Sequence, residues 1–302
     1  MYDTEATRGG EHAGTATRRS TMTDREFARF RDLIYAHSHI FCTDAQRPGF
    51  EKKLRGRIAT LQLASFQEYY ALLTDTTSGH DELTACIDAV AVHETSFFRN
   101  SGHFLGLEQQ IFPQWLQSDR HAKPLRIWSA GCSTGEEPYS LVMTFLESAA
   151  HSSASKTATV EVVATDIAPS VLAVAQQGIY SAHQVQKIPP ALLDKYFLQR
   201  HHAYHIREQV KQCVTWRVLN LAQLATAPRQ TFDIIFCRNV LIYFDHQAQA
   251  ALLEGLLERL APGGYLFLGD AESIHTFPQS AQKLHFLEMG NAIIYQKREE
   301  DA

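Results

Sequence analysis

Cysteine is scarce, five in 302 residues, and Cys42, Cys86, Cys132, Cys213 and Cys237 never form a C-x-x-C pair. An odd number at wide spacing argues against a zinc knuckle or a disulfide framework and fits a reducing cytoplasm. No run approaches the roughly 18 consecutive apolar residues needed to cross a bilayer. The polar start, Met1 to Thr21, lacks the apolar centre of a signal peptide. The expectation is a cytoplasmic protein without membrane insertion. Charge of one sign is in no great excess: a net −5 and a pI near 6.3 give no global positive field, so no nucleic-acid partner is expected. His201, His202 and His205 include an i, i+4 pair, but no acid stands beside His201 as in H-E-x-x-H, and no metal is expected. No internal repeat is visible, and a monomer is expected.

What is present is an ordinary globular composition, 45% hydrophobic and 20% charged, enough to bury one large domain and a small one. Residues 1–21 show no apolar period and read as a disordered extension. From 22 to 92 the period is helical: Phe27, Phe30 and Ile34 share one face, Phe50, Leu54, Ile58 and Leu61 another, Leu83, Ile87 and Val90 a third. Pro48-Gly49 and Thr77-Ser78-Gly79 separate these segments, giving a small helical bundle. After Pro124, short apolar runs alternate with helical stretches: Leu125 to Trp128, Val160 to Ala164, Phe232 to Phe236, Tyr265 to Leu268 and Ala292 to Tyr295. This rhythm predicts an α/β domain over 93–298 with a parallel sheet buried on both faces, the last two runs forming an antiparallel hairpin at one edge. Residues 188–216 fit no βα unit and read as an insertion.

The segment Ser129-Ala130-Gly131-Cys132-Ser133-Thr134-Gly135-Glu136-Glu137 turns from strand to helix. Gly131 and Gly135 fall where the backbone must turn tightly and approach a ligand. The spacing is neither G-x-G-x-x-G nor a loop ending in Gly-Lys-Ser/Thr, and two acids at the helix start would repel a pyrophosphate. A cationic, phosphate-free cofactor such as S-adenosylmethionine fits better. Asp166, at the end of the next strand, is placed to accept hydrogen bonds from ribose hydroxyls. Its other reading is a cap for the helix starting at Pro169. Asn220-Leu221 offer an amide and an apolar lid for an adenine. The run Phe232 to Cys237 stops abruptly at Arg238-Asn239, and Tyr243 follows. His93-Glu94-Thr95-Ser96-Phe97-Phe98-Arg99 joins the bundle to the α/β domain, with Thr95 and Arg99 directed to the cleft. The basic cluster Arg47, Lys52, Lys53, Arg55 and Arg57 is either a solvated helix face or a dock for an acidic protein.

Together, Glu94 to Arg99, Gly131 to Tyr139, Ala164 to Ile167 and Cys237 to Phe244 closely resemble the CheR family of chemotaxis receptor methyltransferases, over about residues 22–298. The resemblance implies an all-helical N-terminal domain. It also implies a Rossmann-like class I methyltransferase domain carrying an inserted small β-subdomain, and methylation of glutamates on the cytoplasmic helices of methyl-accepting chemoreceptors, which tunes adaptation. It places S-adenosylmethionine contacts at Thr95, Arg99, Gly131, Glu136, Asp166, Asn220, Leu221, Arg238 and Asn239, singles out Arg99 and Tyr243 as catalytic, and leaves S-adenosylhomocysteine as product. Where the family usually has Asn, this chain has His93, whose imidazole still offers one hydrogen bond. Some members dock a receptor's C-terminal peptide on the β-subdomain through a glycine-containing loop. Phe197 to Val210 has no glycine, so no such tether is expected. The basic cluster at 47–57 is expected to meet acidic receptor helices. Two other readings stay open: a methyltransferase for a small molecule or nucleic acid, and a non-catalytic cofactor-binding module.

Overall fold

In the first segment an oxygen-bearing side chain stands just ahead of an apolar 3.6-residue period, the local recipe for a helix start. Thr23 accepts from the Glu26 N–H while the Glu26 carboxylate accepts from the Thr23 N–H, and helix α1 (Asp24–Ser38) follows. The computed structural model describes residues 21–118, 122–152, 157–226, 229–289 and 292–299. The expected N-terminal extension falls outside these, apart from Thr21. Helices α2 (Arg47–Thr60), α3 (Phe66–Leu73) and α4 (Gly79–Val90) complete the bundle. Their apolar faces meet on Phe30, which stacks on Tyr69 and meets Phe66 edge-on.

The strands, in chain order, are β1 (Leu125–Ala130), β2 (Val160–Asp166), β3 (Ile179–Ser181), β4 (Phe197–Arg200), β5 (Ala203–Ile206), β6 (Val214–Val218), β7 (Phe232–Cys237), β8 (Leu260–Leu268), β9 (Leu284–Met289) and β10 (Ala292–Lys297). Among the described residues the main sheet runs β6-β2-β1-β7-β8-β10-β9, parallel from β6 to β8 and antiparallel thereafter. Ile127 and Phe236 pack into one core and Trp128 and Ile235 into another, because alternate residues of a strand covered on both sides enter opposite layers. Helix Glu136–Ala150 covers the first face and His246–Arg259 the second.

Two expectations change. The edge hairpin pairs β9 with β10, and β10 also pairs with β8. Strand β9 buries only Leu284 and Met289 fully and leaves His285, Phe286 and Glu288 in solvent, so it presents no apolar run. The inserted subdomain begins earlier than 188, since its sheet, ordered β3-β5-β4, starts at Ile179. Val214–Val218, whose first three residues fall within the expected insertion of 188–216, is instead the outer strand of the main sheet, with Thr215, Arg217 and Val218 exposed. His201-His202 form the turn between β4 and β5, His201 at φ 54°. Phe97 fastens this subdomain to the linker: its ring meets Tyr180 edge-on at 4.8 Å and Phe197 at 5.5 Å.

One buried base shapes the pH response. His103, 2% exposed, lies edge-on to Phe236 and Phe267, with Nδ1 lacking a partner. Burial, with the Arg238 charge adding to it, pushes its pKa down to about 4. The native ring therefore stays neutral where the unfolded one, titrating near 6.5, takes a proton, and stability drains as pH falls from about 6.5 toward 4. His103→Phe should reduce the loss of unfolding free energy between pH 7 and pH 5 by about 2 kcal/mol, read from urea titrations. Equal losses in the two proteins would contradict it.

Candidate active site

The carboxyl ends of β1, β2 and β7 open into a cavity of about 590 Å³, roofed by α1 and the turn after it. Both domains build it. Among the described residues, the Phe41 N–H donates to the Tyr243 carbonyl at 2.8 Å, and the Tyr35 hydroxyl donates to the Asp245 carboxylate. His93, Thr95, Arg99, Gly131, Asp166, Asn220, Leu221, Arg238, Asn239 and Tyr243 all line this space. Glu136 does not.

The loop after β1 explains that exception. Gly131 at φ 79° and Gly135 at φ 95° make its two bends. A Cβ at Gly135 would lie 2.8 Å from the Ala175 side chain and 2.9 Å from Trp216, so this glycine serves close helix–sheet packing. Residues then leave the helix start about 100° apart. Glu136 turns away from the cavity, accepting from the Thr134 hydroxyl at 2.7 Å and from Gln184 at 3.2 Å. Glu137 turns inward, accepting from the Ser129 hydroxyl at 2.7 Å and from Arg238 at 3.2 Å. Asp166 accepts from the Ser133 N–H at 2.9 Å and the Ala168 N–H at 3.0 Å, so it organises the loop and the turn ahead of the next helix but does not cap that helix, whose N-cap is Ala168. A carboxylate has more acceptor sites than these two bonds use. Burial pushes its pKa above the usual range despite the backbone donors.

The remaining residues divide by what already holds them. Asn220 spends its amide on the fold: Nδ2 donates to the His37 carbonyl at 2.6 Å and Oδ1 accepts from the Ala222 N–H at 3.0 Å. His93 has its ring 3.0 Å from the Asp88 carbonyl, and its own carbonyl accepts from Ser133. Arg238 is a strut, pairing with Glu137 and donating to the Arg99 carbonyl at 2.5 Å and to Asn100. Asn239 sits at φ 58° with Oδ1 buried and unpartnered. Arg99 and Tyr243 are half-buried. Arg99 donates to the Glu94 carbonyl at 2.8 Å, leaving most of its donors for the cavity. Burial raises the Tyr243 hydroxyl above its usual pKa, against the nearby Arg99 charge, so it remains a proton donor at neutral pH.

Of the basic cluster of α2, Lys53 lines the cavity and Arg47, Lys52, Arg55 and Arg57 do not, and most of the cluster is committed within its own domain. Arg47 binds Asp24 and the Met22 carbonyl, Arg55 binds Glu51, Arg57 binds Glu82, and Lys53 donates to the Val90 and Ala91 carbonyls at the end of α4. Lys52 is exposed. Sequence reasoning chose Glu136 over its neighbour Glu137 and passed over Asn100, Asp270 and Glu272. The last two announce themselves as Asp166 did, as acids just beyond the carboxyl end of a strand, here in Leu268-Gly269-Asp270-Ala271-Glu272.

The residues present fit S-adenosylmethionine. The volume lies within the roughly 300–1,000 Å³ usual for small-ligand sites. The orphaned Asn239 acceptor and the carboxylates of Asp166 and Glu137 suit a cationic, hydroxyl-bearing ligand rather than a phosphate. The comparisons agree. The model of the CheR methyltransferase, SAM binding domain matches residues 93–289, and that of the CheR methyltransferase, all-alpha domain matches 25–91. The chain is 38% identical over 255 residues to chemotaxis protein methyltransferase 2 of Vibrio cholerae serotype O1, covering 84% of this chain and 87% of that one. It is 34% identical over 262 residues to the chemotaxis protein methyltransferase of Escherichia coli K12, covering 85% and 87%. This S-adenosylmethionine-dependent methyltransferase thus belongs to the CheR methyltransferase family.

Proposed function

We propose that the protein esterifies glutamate side chains on the cytoplasmic helices of chemoreceptors, acting as a cytoplasmic monomer. The observation that carries this reading is the make-up of the cavity lining. It combines acceptors, Asp166 and the unpartnered Asn239 Oδ1, that suit a cationic donor with an incompletely bonded guanidinium, Arg99, and the Tyr243 hydroxyl, which suit an anionic acceptor. When bound, S-adenosylmethionine supplies an electrophilic methyl group on a sulfonium. A glutamate of pKa about 4.3 is already ionised at neutral pH and needs no general base. The protein's work is positioning and drying: Arg99 aligns the carboxylate by a bidentate contact, Tyr243 donates to it, and the helical roof excludes water from a reaction that consumes charge. Asp166, Asn239 and Leu221 would hold the donor.

Receptor-containing membranes incubated with methyl-labelled cofactor should gain label that mild base releases as methanol. Base-stable label would point to N-methylation, and cofactor binding without transfer to a binding module. For the receptor encounter, Lys52 offers the exposed charge of α2, while its basic neighbours hold the bundle together. Support for a cytoplasmic location is the free state of Cys42, Cys86, Cys132, Cys213 and Cys237. No helix among the described residues is long and apolar enough to cross a membrane. Because Phe197 to Val210, in the small inserted sheet, contain no glycine, a receptor C-terminal pentapeptide should show no micromolar affinity in calorimetry. A micromolar Kd would overturn that independence.

A further inference from the structure

The loop that carries Asn239 and Tyr243 closes on itself only beyond Asn239, the Tyr243 N–H donating to the Val240 carbonyl at 3.1 Å. Asn239 adopts the left-handed conformation at φ 58°, which a non-glycine residue keeps only where its surroundings impose it. The constraint comes from beyond the next strand. Glu272, 8% exposed, places Oε2 2.8 Å from the Asn239 N–H and 2.6 Å from the Gly269 N–H, while Oε1 accepts from the Ile242 N–H at 3.4 Å. One carboxylate thus pins both ends of the turn between Asn239 and Tyr243 to the end of β8. The approach is tight: a Cβ on Gly269 would lie 2.8 Å from the Asn239 nitrogen and 2.8 Å from Glu272 Oε2. With its N–H so engaged, Asn239 keeps Oδ1 buried and free of protein donors. On the same turn, Asp270 accepts from Asn100, which in turn accepts from Arg238, next to the Arg99 carbonyl.

We infer that Glu272 is a positioning residue for methyl transfer, setting the Asn239 amide for the cofactor and the Tyr243 hydroxyl for the acceptor. This rests on the proposed function, in which those two groups touch the reactants. Glu272 itself lies outside the residues lining the cavity, so its effect passes through the backbone it binds. A side chain that merely stabilised the fold would lower the melting temperature without altering what the folded protein binds or turns over.

The test compares Glu272→Ala, Glu272→Gln and Asn239→Ala well below their melting temperatures, by calorimetry with S-adenosylhomocysteine and by receptor methylation. Glu272→Ala should weaken S-adenosylhomocysteine at least about tenfold and lower kcat by a similar factor, since small displacements of reacting groups cost orders of magnitude. Glu272→Gln keeps one carbonyl acceptor but turns an NH₂ group toward a backbone donor, and should fall between, about threefold weaker. Wild-type affinity and kcat in folded Glu272→Ala would overturn the positioning role. Should that variant not fold, wild-type values in Glu272→Gln would do so. Asn239→Ala reads the underlying contact separately: unchanged affinity there sinks the Asn239 contact and the positioning role with it. Weakened affinity at Asn239→Ala beside an unaffected Glu272→Ala sinks the positioning role alone.

Discussion

Replacing Arg99 with alanine should yield a folded protein whose kcat for receptor methylation has fallen by about 10²- to 10³-fold, the usual cost of deleting a charged group that orients or stabilises the reacting centre. The fold should survive because the guanidinium is half-buried and, among the described residues, its hydrogen bond runs to the nearby Glu94 carbonyl. The backbone of this segment is anchored independently, through Arg238 to the Arg99 carbonyl and through Ser140 to the Phe98 N–H. Arg99→Lys should recover little, because an ammonium is a point charge without the planar fork that fixes a carboxylate in two places. Too tight an ion pair would quench the nucleophile, so the role is geometric. The check is kcat on receptor membranes beside a thermal melt. Wild-type turnover in a normally folded Arg99→Ala would end the assignment.

Arg238→Ala should act on the fold itself. The Arg238 side chain is 2% exposed and its Glu137 partner 14% exposed, so the pair is effectively out of water. Removing one member strands the other charge and costs about 3–5 kcal/mol, whereas replacing both by apolar residues of similar size is often close to neutral. The Arg99 carbonyl and Asn100 lose their donor as well. In urea unfolding, Arg238→Met and Glu137→Leu should each be strongly destabilising, and the double variant should be far less so than their sum. Additive losses would mean that the two side chains do not act as a unit.

How much of this was readable beforehand depended on where each element meets solvent. Strands β1, β2 and β7 are covered on both faces and show themselves as mostly apolar runs, each broken near its start by one charged residue, Arg126, Glu161 or Asp233. Strands β6 and β9 stand at the edges of the sheet, and β3 to β5 form a thin sheet of their own, so their mixed sequences resemble loops. The site was legible where its residues are chain neighbours of strand ends, as with Asp166 and Arg238. The choice between Glu136 and Glu137 was not, because one residue along a helix swings a side chain by about 100° and the phase is set by the bend at Gly135. Likewise, Lys53 and Arg57 look like a free basic face until α4 is placed beside them, supplying the Val90 and Ala91 carbonyls and Glu82. Contacts such as that of Glu272 with Asn239 join segments that no local pattern connects.

The Phe97 ring has a mechanical reach that its place in the core conceals. It is gripped by Tyr180 of β3 and Phe197 of β4, the Tyr180 hydroxyl donates to the Thr134 carbonyl in the loop after β1, and Arg99 follows almost at once in the chain. The small sheet, the loop after β1 and the linker bearing Arg99 therefore share one rivet, so a change in the small sheet is geared to the backbone on which Arg99 stands.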